Sequence, residues 1–453
     1  MSAEAMVRGG VAERLRTVRW YQQPRWKRLG AMIALALLAT MVTGVQGSQR
    51  DLFYALEEDF TGPAPWIWLA VTVGVWAVRE FAAPQVRTAT EAARGAAHGP
   101  RAWVRRCWSD RRVRYGVLGG LAVLAVFLPS TVDRYWQTVL VDQIAIYVLV
   151  AIGLNVVIGW AGMLDLGFIA FFAIGAYSAA YWTGALPVAP PMELNNFAVI
   201  PVAIVTCLVA GVLLGAPTLR LRGDYLAIVT LGFHEIVYLT AKNLDGVTGG
   251  TGGAKVDRFS LDLGFWSYEW GVIDPMPYYY LLLGFIAVTV YFFVRLEHSK
   301  VGRAWTAIRE DEIAAASTGV DTVRYKLMAF AIGASTSGVA GVAYASKVGY
   351  INSENFIILL SVLVLAYVIF GGMGSLVGVL FGAAFLVWLP EALRDVVDPK
   401  DRYMYLGVLL VIMMIYRPQG VIPSRRRSRE LKMAQSGDVD AAPATKPVGG
   451  EQS

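Results

Sequence analysis

Apolar windows long enough to cross a hydrocarbon core of about 30 Å as helices recur along this chain. They run from Leu29 to Val45, Pro65 to Val78, Tyr115 to Leu128, Trp136 to Ile158, Leu166 to Thr183, Phe197 to Ala216, Asp224 to Ala241, Tyr278 to Val294, Leu327 to Ala345, Ile357 to Phe370, Leu376 to Leu389 and Tyr403 to Tyr416. Only helices and closed barrels satisfy their backbone groups in lipid, and these windows have helical length. The pattern therefore predicts an all-α, polytopic integral membrane bundle of about 10–12 transmembrane segments, some of them broken or re-entrant. The pair between Ile357 and Leu389, split by "GGMGS", reads either as two crossings or as one broken element. Gly374, Gly378 and Gly382 recur every four residues and would share one helix face, where small residues let helix backbones approach. "GWAGMLDLG" has a similar glycine turn between two spans, which hints at an internal repeat.

The polar intervals orient the bundle, because short cytoplasmic loops accumulate Lys and Arg. Arg8, Arg14, Arg16, Arg19, Arg25 and Arg28 precede the first window, and Arg101, Arg105, Arg106, Arg111, Arg112 and Arg114 follow the second. The interval between them carries Asp51, Glu57, Glu58 and Asp59 against Arg50. Alternation from there puts Arg220, Arg222, the loop 295–326 and the tail with Arg425, Arg426, Arg427 and Arg429 inside. Both termini are thus expected in the cytoplasm. The organisation expected is a basic cytoplasmic tail, 1–28; an accessory two-span section with a basic linker, 29–114; a transmembrane domain, 115–422, holding the cytoplasmic loop 295–326; and a disordered cytoplasmic tail, 423–453.

Composition agrees: 56% of residues are hydrophobic and 16% charged, a balance unlike that of soluble domains of this length. The formal charge of +6 reflects membrane orientation and contact with anionic lipid rather than nucleic-acid binding. Cys107 is expected in the cytoplasm and Cys207 inside a span, so a disulfide between them is not expected. The long basic leader predicts that the first span is an anchor and not a cleaved signal. No polar segment is long enough to hold a nucleotide-binding core, so ATP chemistry would belong to another polypeptide.

Few residues suggest chemistry. His98, His234 and His298 are scattered, and no His or Cys spacing resembles a metal site. "GVTGGTGGAK", which contains Thr248, lacks the Gly-Lys-Ser/Thr ending of a phosphate loop and falls on the outer side. It reads as an outer loop, with a place near a substrate entrance left open. His234 and Glu235 lie mid-span, where a charge costs about 2.5–3.5 kcal/mol and must face the bundle interior or water. They either clamp helices together or line a substrate path, with Tyr225 on the same span and Glu235 suited to accept from an ammonium. Asp165 poses a similar choice, N-cap of the following span or gate. In "IREDEIAAASTG", Asp311 is suited to cap a helix of about two turns, Glu312 to its first turn and Gly319 to its stop. The three alanines would give that helix a narrow face for docking, and Val301, Trp305 and Ile308 would seat a preceding helix on the bundle, with Arg303 and Arg309 as polar neighbours. A solvated loop is the plainer alternative.

Five blocks carry a resemblance: "LNVVIGWAGMLDLGFIAFFAIGAY" (154–177), "LRLRGDYLAIVTLGFHEIV" (219–237), "GRAWTAIREDEIAAASTGV" (302–320), "FGGMGSLVGVLFGA" (370–383) and "YRPQGVI" (416–422). In this order they resemble the LivM-type permease subunits of branched-chain amino-acid ABC importers. The resemblance implies a non-enzymatic permease without cofactor of its own, ATP and Mg being held by partner subunits. The implied partners are a second permease of similar fold, two cytoplasmic ATPases and an extracytoplasmic substrate-binding protein. A coupling helix would fall on Glu310 to Gly319, with Arg303, Arg309, Glu310, Asp311, Glu312, Ala314, Ala315 and Gly319 contacting the ATPase. Asp165, Tyr225, His234, Glu235 and Thr248 are the candidate substrate path. The match departs at Ile313, which stands where the importer signature has Glu, at His234, commonly Gly, and at Phe168, often Tyr or His. A urea or short-chain amide permease is the alternative within the class, and an ion-coupled transporter using Glu235 and Asp165 the alternative outside it.

Overall fold

The computed structural model describes residues 125–218, 224–262, 267–271, 275–394 and 401–422. The spans expected at Leu29–Val45 and Pro65–Val78, the span expected at Tyr115–Leu128 up to residue 124, the basic segments around the first two, Arg220, Arg222 and the tail from 423 lie outside the described residues. Every window expected from Trp136 onward holds a helix. These are α1 (Arg134–Trp160), α2 (Ile169–Trp182), α3 (Asn196–Thr218), α4 (Asp224–Asn243), α5 (Pro275–Glu297), α6 (Lys300–Glu310), α7 (Glu312–Ser317), α8 (Thr322–Val348), α9 (Ile358–Gly371), α10 (Leu376–Ala392) and α11 (Arg402–Tyr416). By length and apolarity α1, α3, α5, α8 and the stretch Ser353–Gly371 suffice to cross a membrane. The chain is a polytopic helical membrane protein. "GGMGS" is a tight turn between two short antiparallel helices, α9 and α10.

α8 is the centre of the bundle, packed on α1, α2 and α3. Its buried positions are mostly Ala, Gly, Ser and Thr, which bring backbones together where lipid supplies no hydrophobic drive for helix association. A Cβ on Gly175 of α2 would lie 2.6 Å from the Cα of Gly338, so the contact is backbone on backbone. Gly175→Val is therefore expected to destabilise the chain by about 1–3 kcal/mol through overpacking. A lowered melting temperature in detergent would show it; an unchanged one would mean that α2 and α8 separate freely.

α1 is interrupted by two π-helical turns, Leu140–Ala145 and Asn155–Trp160. The first presents Asp142 to Lys347 of α8 at 3.1 Å, with the ammonium 5.4 Å from the ring centroid of Tyr278. The second leads into the loop 161–168. With 14 residues, α2 is about 21 Å long at 1.5 Å per residue, short of the hydrocarbon thickness. The loop therefore reaches back into the bundle. At the same end lie the "GGMGS" turn, α6, α7 and residues 417–422, whose Val421 and Ile422 amides donate to the carbonyls of Phe370 and Gly371. At the opposite end the antiparallel pair β1 (Ser260–Asp262) and β2 (Ser267–Glu269) sets Ser260 against Glu269, and Ala254 bridges to Ile351.

Gly374 is not part of a helical glycine face, contrary to the four-residue spacing. It precedes α10 with φ 82°, and Ser375 is the N-cap, its hydroxyl accepting from the Gly378 amide at 3.1 Å. Gly378 and Gly382 do face a helix, the backbone of Gly371 on α9.

Candidate functional site

The charged loop at the first end folds into two consecutive short helices. α6 starts on Ser299, whose hydroxyl accepts from the amides of Val301 and Gly302, and it buries Trp305 and Ile308. α7 follows at once. Asp311 Oδ1 accepts from Ile313 N at 2.8 Å and Ala314 N at 3.0 Å, which makes it the N-cap. Gly319 ends the segment with φ 86° while Val320 N donates to the Ala315 carbonyl at 3.1 Å, a left-handed C-terminal stop. α7 itself spans six residues, close to the expected two turns.

This unit is fastened to the bundle at three points. Trp305 stacks on Trp160 of α1 with centroids 6.1 Å apart, and its indole donates to the Tyr325 carbonyl at 2.6 Å. Glu312, placed in the first turn where the helix dipole favours it, pairs at 2.6 Å with Lys326, a buried cation near the start of α8. Arg309 donates through Nη1 to the carbonyl of Gly159. A Cβ on Gly162 would lie 2.7 Å from Arg309 Cγ, so the arginine stem runs in a slot that only glycine leaves open. Arg309 is thus half-buried, with one guanidinium nitrogen bound to the bundle. Arg303, by contrast, is exposed and donates to the His298 carbonyl at 3.2 Å. Ala315 is buried too, which breaks the expected alanine face; the outward side of α7 is Ile313, Ala314, Ala316 and Ser317, beside exposed Glu310, Asp311 and Gly319. Ile313 is 67% exposed.

Behind Arg309 the two glycine turns meet. The Gly374 amide donates to Asn155 Oδ1 at 2.9 Å. Farther along the inner loop, Asp165 is buried and its Oδ1 accepts from Gly167 N at 2.8 Å, an Asx-type turn. It does not cap α2: the N-cap position is Phe168, three residues later, without a side-chain hydrogen bond, because the turn already uses the carboxylate. Oδ2 of Asp165 has no partner among the described residues. The Leu166 amide donates to Thr230 Oγ1 of α4 at 3.1 Å, and a Cβ on Gly167 would collide with the Thr230 carbonyl.

α4 separates the two mid-span residues. His234 turns inward at 1% exposure, with neither ring nitrogen partnered among the described residues. Glu235 turns outward. Successive helix residues are about 100° apart, so neighbours cannot share a direction. Tyr225, Ile228, Val229, Gly232, Glu235, Ile236 and Leu239 form one exposed stripe at helical spacing, and nothing lies within 4 Å of a Cβ built on Gly232. Thr248 is apart from it: its hydroxyl donates to the carbonyls of Ala241 and Leu244, closing the turn after α4.

A family model described as the permease component of branched-chain amino acid transport systems matches residues 138–416. The chain belongs to this permease family. It is 40% identical over 337 residues to the high-affinity branched-chain amino acid transport system permease protein LivM of Escherichia coli strain K12, covering 70% of this chain and 76% of the relative. The LivM protein of Salmonella typhimurium is 38% identical over 340 residues, covering 70% and 77%. A more distant relative, LivH of Escherichia coli K12, is 24% identical over 302 residues, covering 61% and 91%. No solved structure matches the chain. As a permease component of an ABC system, the chain is not itself an ATPase.

For this permease, sequence reasoning missed Asn155, Trp160 and Lys326. Lys326 had a signal, a cation one residue before an apolar window. Asn155 and Trp160 sit inside an apolar run and had none.

Proposed function

We propose that this permease carries branched-chain or other hydrophobic amino acids along the exposed face of α4, in a path closed by a second permease of similar fold. The observation that carries the reading is Glu235 at the middle of an otherwise apolar, exposed stripe. Left against lipid its charge is costly, so the face requires either a protein partner or a water-filled path. Ile228, Val229, Ile236 and Leu239 suit a branched aliphatic side chain, and Glu235 suits an ammonium. The distant similarity to LivH supports a partner of related fold. Two cytoplasmic ATPases would hold ATP and Mg, an extracytoplasmic binding protein would deliver substrate, and the end bearing α6 and α7 would face the cytoplasm with both termini.

Glu235→Gln, in the reconstituted importer, is expected to lower leucine uptake about tenfold. That is the loss of one charge-assisted hydrogen bond of about 1.5 kcal/mol. Uptake at the unaltered rate would remove Glu235 from the path.

A further inference from the structure

At the opposite end of α4 from the glycine loops stands a polar group that neither the coupling unit nor Glu235 explains. Lys242 Nζ lies 3.1 Å from Glu354 Oε1, and Tyr238 OH donates to the same oxygen at 3.1 Å. Lys242 also donates to Tyr238 OH at 3.2 Å and lies 5.4 Å from its ring centroid. Glu354 comes from a 3-10 turn, Ser353–Phe356, held by a reciprocal cap in which the side chains of Asn352 and Asn355 each accept from the other's amide. The carboxylate is thus presented by a fixed turn.

Two features distinguish this group from an ordinary clamp. An exposed ion pair adds little to stability, and this one is exposed, at 37% for Lys242 and 56% for Glu354. Both charges are also within reach of a ligand arriving from solvent. All donors converge on Oε1, so Oε2 of Glu354 has no partner among the described residues. An ammonium has three N–H donors, and Lys242 uses two. A carboxylate and an ammonium, both partly exposed and with Nζ 3.1 Å from Oε1, match the two charges of an α-amino acid head group. Urea or a neutral amide offers no such pair of charges.

The group also lies in register with the path. Glu235, Tyr238 and Lys242 are spaced by three and four residues on one side of α4, so Lys242 is about 10 Å beyond Glu235 along the axis.

Resting on the reading that the exposed face of α4 lines the translocation path, we propose that Lys242, Glu354 and Tyr238 form its outer station and recognise the zwitterionic head of the substrate. The substrate ammonium takes Glu354 and its carboxylate takes Lys242, each displacing the other residue's charge. The ammonium then passes to Glu235, the next anion along the helix.

The test uses the complete importer with its binding protein in proteoliposomes, in a Cys107→Ser background, with labelled leucine as probe. Glu354→Gln and Lys242→Met are each expected to lower uptake about fivefold, less than one full charge-assisted hydrogen bond because the site is partly solvated. The double exchange Lys242→Glu with Glu354→Lys restores an ion pair but reverses its polarity relative to Glu235, and uptake is expected to stay low. Basal ATP hydrolysis by each assembled variant checks that it has folded. Ile236→Cys, exposed on the same stripe, reports the underlying reading, since a bulky maleimide there should block uptake. If the adduct blocks uptake but the exchange restores it, or the single variants transport normally, the recognition role is overturned and the α4 path stands. If the adduct leaves uptake unchanged, the path reading falls and takes this proposal with it.

Discussion

Arg309→Met is expected to reduce uptake about hundredfold in the assembled importer while ATP hydrolysis continues. The reason is geometric. Arg309 extends from the end of α6 into the slot beside Gly162 and donates to the carbonyl of Gly159. That carbonyl opens the inner loop, whose other end sets Gly167 against the backbone of Thr230 on α4. One side chain therefore joins the element proposed to meet the ATPase to the loop that touches the helix bearing Glu235. A hydrogen bond to a charged group contributes about 1.5–3 kcal/mol, and its loss leaves a carbonyl unpaired in a partly buried slot. About 3 kcal/mol moves a two-state equilibrium roughly hundredfold. Met keeps most of the stem's packing, so the variant tests the charge and its fork rather than the volume. Arg309→Lys should recover only part of the loss, because an ammonium lacks the planar donor set. Spatial continuity alone does not establish coupling, so the measurement that decides is uptake per ATP hydrolysed. A normal ratio would mean that movement reaches the bundle through the base of α8, where Glu312 pairs with Lys326.

The fold was legible wherever the signal was local. Among the described residues, windows of apolar residues gave helices within a few positions because an apolar run of that length satisfies its own backbone groups in lipid only as a helix. Asp311 and Gly319 did what their types favour, since a cap and a left-handed stop depend on residues three or four away. Contacts between distant segments were not legible. Arg309 and Gly159 are 150 positions apart, and neither residue's neighbours announce the other. Gly374 shows how a local pattern misleads: its spacing from Gly378 and Gly382 is helical, but the turn before α10 needs its positive φ. The direction of α4 was half legible, because adjacent residues on a helix must diverge. Which of His234 and Glu235 turned inward was decided by Thr230, one turn before His234, which packs on the inner loop.

Ile313→Asp is expected to weaken ATPase association about hundredfold with the permease itself still folded. Ile313 is the large apolar residue that α7 turns outward, and it stands in a segment otherwise rich in charge. Exposed Val323, at the start of α8, adds a second apolar side chain on the same polar stretch of the chain. Large buried anchors dominate interfaces of this kind, with truncations costing about 2–4 kcal/mol, and about 3 kcal/mol corresponds to the hundredfold loss. The helix does not depend on Ile313, since its start is held by Asp311, its stop by Gly319 and its seat by Glu312 on Lys326. Ala315→Arg would be a poorer probe, for Ala315 is buried and a guanidinium there would disturb the seat of α7 along with any docking. Co-purification of the ATPase subunits with each variant is the measurement. Ala316→Ser, a small change on the same outward side, should leave it unaltered. If Ile313→Asp retains its ATPases, the docking surface lies elsewhere on the loops at this end, and Arg309 loses its role as the link behind it.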